Sequence, residues 1–252
     1  MEMWFSEFHT PDVKHSIRVN RQLYSKQSDY QRIDIFETPE FGRVLTLDGN
    51  VMLTERDEFI YDEMITHVPM SVHRSAKDIL VIGAGDGGVV RELTRYDRVE
   101  RIDLVEMDPQ VIEACRAYLP GNACRMDDRR VHIYYENALK FIRKCEDEYD
   151  LIIVDSSDPF GPSEGLFTRE FYGNCYNALR DDGIMVNQQG SPSMPRMPPP
   201  CSAATSALPA PSPSARCIRR TSPPLLRATG SSALPAKNTT PSMIWTVTPG
   251  MR

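Results

Sequence analysis

The sequence lacks the marks of several protein classes. It has no apolar run long enough to cross a membrane, and its first residues, MEMWFSEFHT, do not follow the basic-then-apolar order of a secretory signal. Its six cysteines show no CxxC spacing, so neither a zinc site nor a disulfide framework is indicated. We therefore expect a cytoplasmic protein that has free thiols and binds no metal.

Acidic residues are missing from residues 191–252. This segment has seven basic residues, 13 of the chain's 20 prolines, much serine and alanine, and no hydrophobic periodicity. Such a composition cannot bury enough apolar surface to offset the conformational entropy lost on folding. We expect residues 191–252 to form a disordered Pro/Ser/Ala-rich tail.

The tail also has a possible origin in a shifted reading frame. Lys237 to Trp245 can be back-translated with one choice of codons and then read one base out of phase. The shifted reading gives Glu-Tyr-His-Pro-Ile-Asp-Asp-Met, which is an ordinary globular sequence. We therefore expect the tail to be an out-of-frame translation that begins near Ser193.

The remaining residues, 1–190, are acidic, with 22 Lys and Arg against 35 Asp and Glu. A net charge of this sign argues against a nucleic-acid partner and is compatible with cationic substrates. Many soluble enzymes are acidic for no specific reason, so the charge alone leaves both interpretations open.

Hydrophobic patterning divides residues 1–190 into two parts. Residues 1–55 read as a small N-terminal β-hairpin domain, because short apolar runs at 32–36, 44–47 and 51–53 flank the turn Asp48-Gly49-Asn50. In residues 56–190 helical and strand patterns alternate, which predicts an α/β fold of the Rossmann-like, class I methyltransferase-like type with a mainly parallel sheet. The first predicted helix, 57–70, has Phe59, Ile60, Met64 and Val68 near one face.

A glycine-rich motif lies between the first predicted strand and helix of the second part. The sequence ILVIGAGDGGVVR runs from Ile79 to Arg91 and satisfies GxGxxG at Gly83, Gly85 and Gly88, with Glu106 about one β-α-β unit later. This arrangement is typical of an adenosine half-site, in which the carboxylate accepts the ribose hydroxyls. A tight turn without a ligand, and a solvated strand end at Glu106, remain the plainer alternatives.

Asp86 lies in the middle of this loop, where a dinucleotide would place its pyrophosphate. A carboxylate there repels phosphate. The loop therefore favours an adenosine ligand that lacks phosphates and carries positive charge, and it disfavours a nicotinamide dehydrogenase.

A second motif, YDLIIVDSSDP, begins at Tyr149 and ends a fully apolar strand with Asp155 and Asp158. Two acidic residues at the carboxyl end of a strand suit an amine substrate, since one can hold the ammonium while the other takes its proton. An alkylammonium has a pKa of about 10, so it must lose a proton before it attacks carbon. The following Pro159 and Gly161-Pro162 indicate a stiff loop that could cover the site. A capping role for either acid is the structural alternative.

Together the segments ERDEFIYDEMITHVPM, ILVIGAGDGGVVREL, VEMDP and VDSSDPFGPSEGLFTREFY resemble the spermidine synthase (polyamine aminopropyltransferase) family over about residues 3–192. The resemblance implies transfer of an aminopropyl group from decarboxylated S-adenosylmethionine to putrescine, which yields spermidine and 5′-methylthioadenosine. It also implies no metal or other cofactor, and a homodimer or homotetramer built partly through the N-terminal β-domain.

The resemblance further assigns roles to individual residues. Asp155 would be the catalytic proton acceptor. Putrescine or spermidine would be bound by Tyr61, Asp62, Asp86, Asp155 and Asp158. The donor or methylthioadenosine would be bound by Gln31, Asp86, Glu106, Asn137, Ala138 and Pro162.

The chain departs from the family pattern at three places. Asp62 stands where bacterial members commonly have His, and Asn137-Ala138 replaces an Asp-Gly or Asp-Ala pair. The proline-rich tail replaces the strands and the substrate-binding tyrosine that follow Gly190–Pro192 in other members. Two alternative functions stay open: a catalytically impaired remnant that only binds polyamine or nucleoside, and an S-adenosylmethionine-dependent methyltransferase.

Overall fold

The computed structural model describes residues 2–157 and 161–188, and four short backbone segments at 219–221, 226–229, 244–245 and 247–249. Among these residues, no helix has both the length and the apolar character needed to span a bilayer.

The first part of the chain forms two antiparallel sheets. One is a hairpin of β1 (Met3–Thr10) and β2 (Val13–Val19). The other has the strand order β3-β4-β5-β6, from β3 (Arg21–Gln27), β4 (Arg32–Thr38), β5 (Gly42–Leu47) and β6 (Asn50–Thr54). The strands predicted at 32–36, 44–47 and 51–53 are confirmed, with the turn between β5 and β6, whereas β1, β2 and β3 were not predicted individually.

The second part alternates helices and strands. The strands are β7 (Asp78–Gly83), β8 (Arg101–Val105), β9 (Val131–Tyr134), β10 (Tyr149–Asp155) and β11 (Leu179–Asn187). The helices are α1 (Glu58–Val72), α2 (Gly88–Leu93), α3 (Pro109–Tyr118), α4 (Pro120–Ala123), α5 (Ala138–Ile142) and α6 (Arg169–Ala178), with a 3₁₀ helix at Gly161–Phe167.

These strands form one parallel sheet in the order β11-β10-β7-β8-β9. The predicted Rossmann-like α/β fold is confirmed. Strand β10 is buried at every position except its last residue, as expected for a parallel strand covered on both faces.

The strand order fixes where a ligand can bind. From β7 the chain builds β8 and β9 to one side, then returns to add β10 and β11 on the other. The order therefore reverses between β7 and β10, and open α/β sheets bind ligands at the carboxyl ends of the strands at such a point. There Gly83 pairs with Asp155, so the glycine loop and the second acidic motif meet.

Helix α1 covers the sheet with a different face from the predicted one. Its buried residues are Asp62, Ile65, Thr66, Pro69 and Met70, whereas Phe59 is exposed. Met64 packs against the core as expected, but the centre of the buried face lies about one residue from the predicted stripe. A search for hydrophobic periodicity does not count Thr66 or Pro69 as apolar. Asp62 is buried because it faces the site described below.

Most of residues 191–252 lie outside the described residues. The described segments of this region are β12 (Arg219–Thr221), β13 (Leu226–Thr229), β14 (Ile244–Trp245) and β15 (Val247–Pro249). Strand β14 pairs in parallel with β11 and extends the sheet at that edge. The other three form a small antiparallel sheet.

Candidate active site

The glycine loop makes a sharp turn directly after β7. Gly83 and Gly87 have φ values of +81° and +94°, and Ala84 also has a positive φ of +56°. The N–H of Ala84 donates to the carbonyl of Asp155 at 3.0 Å. A Cβ on Gly83 would lie 2.0 Å from that same carbonyl oxygen, so only glycine fits where the loop crosses β10.

Asp86 lies inside this turn, as the sequence indicated. Its Oδ1 accepts a hydrogen bond from the N–H of Gly88 at 2.9 Å, which fixes the carboxyl group at the start of α2. Burial raises the pKa of Asp86, and the nearby Glu58 carboxylate adds to the effect. A partly buried carboxyl group of this kind is stabilised in its charged form by a cationic ligand.

Glu106 follows β8 and faces the loop from the adjacent strand. A Cβ on Gly85 would lie 2.9 Å from Glu106 Oε2, so the absence of a side chain at Gly85 lets the carboxylate approach. The other oxygen, Oε1, accepts from the N–H of Asp108 at 2.9 Å. Burial raises the pKa of Glu106 to about 7. The structure therefore places Glu106 beside the glycine loop, as the sequence predicted.

Gln31 reaches the same region from the N-terminal sheets. Its Nε2 donates to Asp108 Oδ2 at 3.2 Å, and Ser28 Oγ donates to the same oxygen at 2.6 Å. Asp108 also caps α3 by accepting from the N–H of Gln110 at 3.0 Å. The first part of the chain is thus attached to the helix that begins just beyond Glu106.

Asn137 and Ala138 lie at the start of α5. The side-chain oxygen of Asn137 caps that helix by accepting from the N–H of Leu139 at 2.9 Å. Its Nδ2 lies 3.9 Å from Met107 Sδ, next to Glu106 in sequence. The asparagine therefore serves as a helix cap here, and its amide group lies close to the loop that carries Glu106.

Asp155 ends β10 and accepts a hydrogen bond from the phenol of Tyr61 on α1. Burial and the negative charge of Asp86 raise the pKa of Asp155 to about 7, while the hydrogen bond from Tyr61 acts in the opposite direction. The carboxyl group therefore titrates near neutral pH, in the range that suits a general base.

Asp62 belongs to the same cluster and is 4% exposed. A Cβ on Gly88 would lie 1.8 Å from Asp62 Oδ2, so this carboxyl group packs directly against the start of α2. The next residue, Glu63, is exposed to solvent. Of the two acids that follow Tyr61, the structure brings only Asp62 into the site.

Two further predicted residues cannot be placed. Asp158 lies outside the described residues, as does the side chain of Pro162, whose backbone is part of the 3₁₀ helix.

Four residues of the site were missed by sequence reasoning. Ser156 Oγ and Gln188 Oε1 are buried, without a hydrogen-bonding partner among the described residues, and they follow the strand ends of β10 and β11. Ser28 and Asp108 hold Gln31, as described above. Only Asp108 carried a usable signal, because an Asp-Pro pair before a helix is typical of an N-cap.

One group of side chains has the spacing of metal ligands. Ligand atoms of Glu63, His67 and Glu92 all lie within 4.8 Å of one another. Glu92 is already paired with Arg95 at 2.5 Å and with Arg91 at 2.9 Å. Glu92 Oε2 also contacts His67 Nε2 on α1 at 3.0 Å, so ion pairs of Glu92 with two arginines and a contact with His67 account for the close spacing of this group.

Chemically, the site is a set of acidic residues, one buried and three partly buried, around a glycine loop of the nucleoside-binding type. Asp62, Asp86, Glu106 and Asp155 gather at the ends of β7, β8 and β10, and each has a pKa raised chiefly by burial. Such a set can bind cations and can accept a proton from one of them.

Comparisons with known proteins agree with this geometry. The spermine/spermidine synthase domain matches residues 58–197, and the spermidine synthase tetramerisation domain matches residues 3–55. Proteins called polyamine aminopropyltransferase from Alkaliphilus oremlandii and Clostridium botulinum are 63% and 64% identical over 192 residues. In both cases the match covers 76% of this chain and 68% of the relative.

Two solved structures are also similar. A spermidine synthase in complex with the transition-state analogue AdoDATO has a TM-score of 0.71 and 49% identity over 73% of this chain. The spermidine synthase from Thermotoga maritima has a TM-score of 0.72 and 47% identity over 75% of this chain. The chain spans 63% and 65% of the lengths of these two proteins.

Proposed function

The chain belongs to the spermine/spermidine synthase family, and we propose that it transfers an aminopropyl group from decarboxylated S-adenosylmethionine to putrescine. The products are spermidine and 5′-methylthioadenosine, and no metal or other cofactor takes part. The observation that carries the proposal is the partly buried, hydrogen-bonded pair of Tyr61 and Asp155 next to the Asp86 carboxyl group of the glycine loop.

The nucleoside half of the donor fits the glycine loop. Glu106 accepts the ribose hydroxyls, because Gly85 leaves its carboxylate uncovered. Asn137, Ala138 and Pro162 border the adenine. Asp86 holds the ammonium of the aminopropyl group, and Gln31 lies towards the sulfur end. A dinucleotide is disfavoured by the same Asp86, since its charge repels a pyrophosphate.

The acceptor amine approaches from the side of Asp155. Tyr61 and Asp158 hold putrescine, and Asp155 takes a proton from the amine that attacks. The nitrogen then forms a bond to the propyl carbon next to the sulfonium, and the carbon–sulfur bond breaks in line. Its electron pair stays on sulfur, which becomes the neutral thioether of methylthioadenosine. The sulfonium is already a good leaving group, so positioning and deprotonation are the main work of the protein.

The direct test is to incubate the chain with putrescine and decarboxylated S-adenosylmethionine and to measure spermidine and methylthioadenosine. The proposal predicts equimolar formation of both. Replacing the donor by S-adenosylmethionine, with methyl transfer as the readout, tests the methyltransferase alternative. Binding of both ligands without product would instead identify a binding protein that has lost catalysis.

Residues 3–55 support a proposal about the oligomeric state, and the cysteines support one about the cellular location. The tetramerisation domain at residues 3–55 supports a homodimer or homotetramer. The hairpin β1–β2 exposes Trp4 and Phe8 at 54% and 65%, which gives a subunit contact an apolar surface to cover. The described cysteines, Cys115, Cys124, Cys145 and Cys175, are free, as suits the reducing cytoplasm in which we place the protein.

A further inference from the structure

Asp108 connects the N-terminal sheets to the start of α3 and to Glu106, and the residue is 1% exposed. Its Oδ1 caps α3 by accepting from the N–H of Gln110 at 3.0 Å, and its own N–H donates to Glu106 Oε1 at 2.9 Å. Its Oδ2 accepts from Ser28 Oγ at 2.6 Å and from Gln31 Nε2 at 3.2 Å. Asp108 therefore links Gln31 to Glu106, the residues that we propose as ligands of the donor's nucleoside.

The hydroxyl of Ser28 is fixed by the turn between β3 and β4. It accepts from the N–H groups of Tyr30 at 3.1 Å and Gln31 at 3.0 Å. A hydroxyl has one hydrogen to donate, and two acceptors lie within reach, the Gln31 carbonyl at 3.0 Å and Asp108 Oδ2 at 2.6 Å. The carbonyl already accepts from the N–H of Ser28 at 2.9 Å, and 2.6 Å is a usual length for a hydroxyl bound to a carboxylate. The hydroxyl of Ser28 therefore donates to Asp108.

The contact with Asp108 determines which way round the side-chain amide of Gln31 lies. A carboxylate only accepts hydrogen bonds, whereas the amide has a donor end at Nε2 and an acceptor end at Oε1. Nε2 must therefore face Asp108. Rotation of the amide by about 180° would exchange the two ends and bring Oε1 against a carboxylate oxygen, which is unfavourable because neither oxygen can donate. Asp108 thus holds Gln31 in the orientation that leaves the acceptor end for a ligand.

We propose that Asp108 is a positioning residue for the nucleoside half of the donor. Through Oδ2 it orients the amide of Gln31, and through its N–H it holds Glu106, so that both residues present oxygen acceptors to the nucleoside in one fixed arrangement. Ser28 supports this arrangement, because its hydroxyl binds the same carboxylate oxygen as Gln31. The inference rests on the proposed function, in which Gln31 and Glu106 bind the donor.

Asp108→Asn changes one of these contacts selectively. Asparagine caps a helix as well as aspartate does, and the bond to Glu106 comes from the backbone, so both are kept. The side-chain oxygen remains with the cap, and an NH2 group replaces Oδ2 opposite the NH2 group of Gln31. Rotation of the Gln31 amide relieves this contact between two donors, but it turns a donor instead of an acceptor towards the nucleoside.

Gln31→Glu provides a rescue when it is combined with Asp108→Asn. One oxygen of the introduced carboxylate accepts from the introduced NH2 group, and the other oxygen faces the nucleoside as Oε1 did. Alone, Gln31→Glu should impair binding, since it places a second carboxylate where Nε2 lies 3.2 Å from Asp108. Asp127→Asn, which alters an exposed acid shortly after α4, is the control for the loss of one negative charge.

Isothermal titration calorimetry on the full chain, with methylthioadenosine and with decarboxylated S-adenosylmethionine, tests the inference. Burial raises the pKa of Glu106 to about 7, and the charge of Asp108 adds to this. Titration at about pH 8.5 therefore keeps Glu106 ionised in every variant. We expect each single variant to weaken the binding of both nucleosides by about tenfold, the size of one charge-assisted hydrogen bond. The double variant should bind within about threefold of the wild type, and Asp127→Asn should bind as the wild type does.

Urea denaturation separates positioning from folding. Asp108→Asn keeps the cap of α3, so its denaturation midpoint should stay close to that of the wild type. Ser28→Ala gives a second, independent test, because it removes one donor to Oδ2 and leaves Gln31 in place. We expect it to weaken the binding of both nucleosides in the same direction, by about threefold.

Two results would overturn the inference. One is Asp108→Asn that binds both nucleosides as tightly as the wild type. The other is a double variant that binds as weakly as the single ones, since the loss would then come from the fold and not from the orientation of the Gln31 amide. A wild type that binds neither nucleoside would reject the proposed function itself, and this inference with it. A wild type that binds both, with unchanged affinity in Asp108→Asn, rejects only the role of Asp108.

Discussion

The phenol of Tyr61 and the carboxyl group of Asp155 are hydrogen-bonded across 94 residues of sequence. The bond ties α1 to the carboxyl end of β10 at the point where the strand order reverses. It also opposes the upward shift that burial and Asp86 impose on the pKa of Asp155, which is about 7. Tyr61 therefore helps to keep the proposed base ionised near neutral pH.

Replacement of Tyr61 by phenylalanine should move the pH dependence of the reaction. The hydrogen bond stabilises the carboxylate, so its loss raises the pKa of Asp155 further. Because a base must be deprotonated to act, the acidic limb of kcat/KM should move to higher pH, by about one unit, and activity at alkaline pH should change less. A pH profile of methylthioadenosine formation measures this. A limb that stays in place, or moves to lower pH, contradicts the assignment.

Asp155→Asn should separate chemistry from nucleoside binding. The asparagine cannot accept the amine proton, and loss of a general base typically lowers turnover by about 10²- to 10⁴-fold. Methylthioadenosine affinity should change little, since the ribose is held by Glu106. Asp181→Asn, which alters an exposed acid on β11, is the matched control. Turnover equal to that of the control would remove Asp155 from the role of base.

A comparison of Gly83 with Gly49 separates the effect of steric contacts at a glycine from the effect of its positive φ. Their φ values are +81° and +80°, but a Cβ on Gly83 would lie 2.0 Å from the Asp155 carbonyl oxygen, whereas nothing lies within 4 Å at Gly49. Gly49→Ala should cost about 1 kcal/mol of unfolding free energy. Gly83→Ala should cost more by at least about 2 kcal/mol, since strand backbone must shift. Urea denaturation compares the two variants, and equal losses would refute the close approach.

The composition of the tail leads to a prediction about the DNA that encodes it. We propose that residues 191–252 are translated out of frame from near Ser193, given their composition and the globular sequence found one base away. The 192-residue length of the matches to the two curated relatives is compatible with a change near that position. DNA sequencing should find a single-base insertion or deletion close to codon 193. The proposal would be contradicted by a reading frame that matches the relatives' coding sequence up to codon 190 and continues without a shift through codon 252.

Much of the second part of the fold could be predicted, and the reasons are local. Apolar runs of four residues before Gly83 and before Asp155 identify β7 and β10, and glycines at fixed spacing identify the loop between β7 and α2. The start of helix α3 could be predicted from Pro109, because proline is favoured in the first turn of a helix.

The rest could not be predicted, because it depends on contacts between distant residues. Strand β2 is exposed at most positions, and His15 interrupts the alternation of Val13, Ile17 and Val19. The bond from Ser28 to Asp108 joins residues 80 apart, and no local pattern encodes it. The buried face of α1 includes Asp62, an acid that a hydrophobic pattern assigns to solvent, and only its contact with Gly88 shows why it is buried.

The central claim is that partly buried acidic residues at the ends of β7, β8 and β10 select a cationic nucleoside. It is tested most directly by measuring dissociation constants of the chain for decarboxylated S-adenosylmethionine and for adenosine monophosphate at one ionic strength. We predict that the cationic ligand binds at least about tenfold more tightly, and that added salt reduces the difference. Equal affinity, or tighter binding of the monophosphate, would contradict the account.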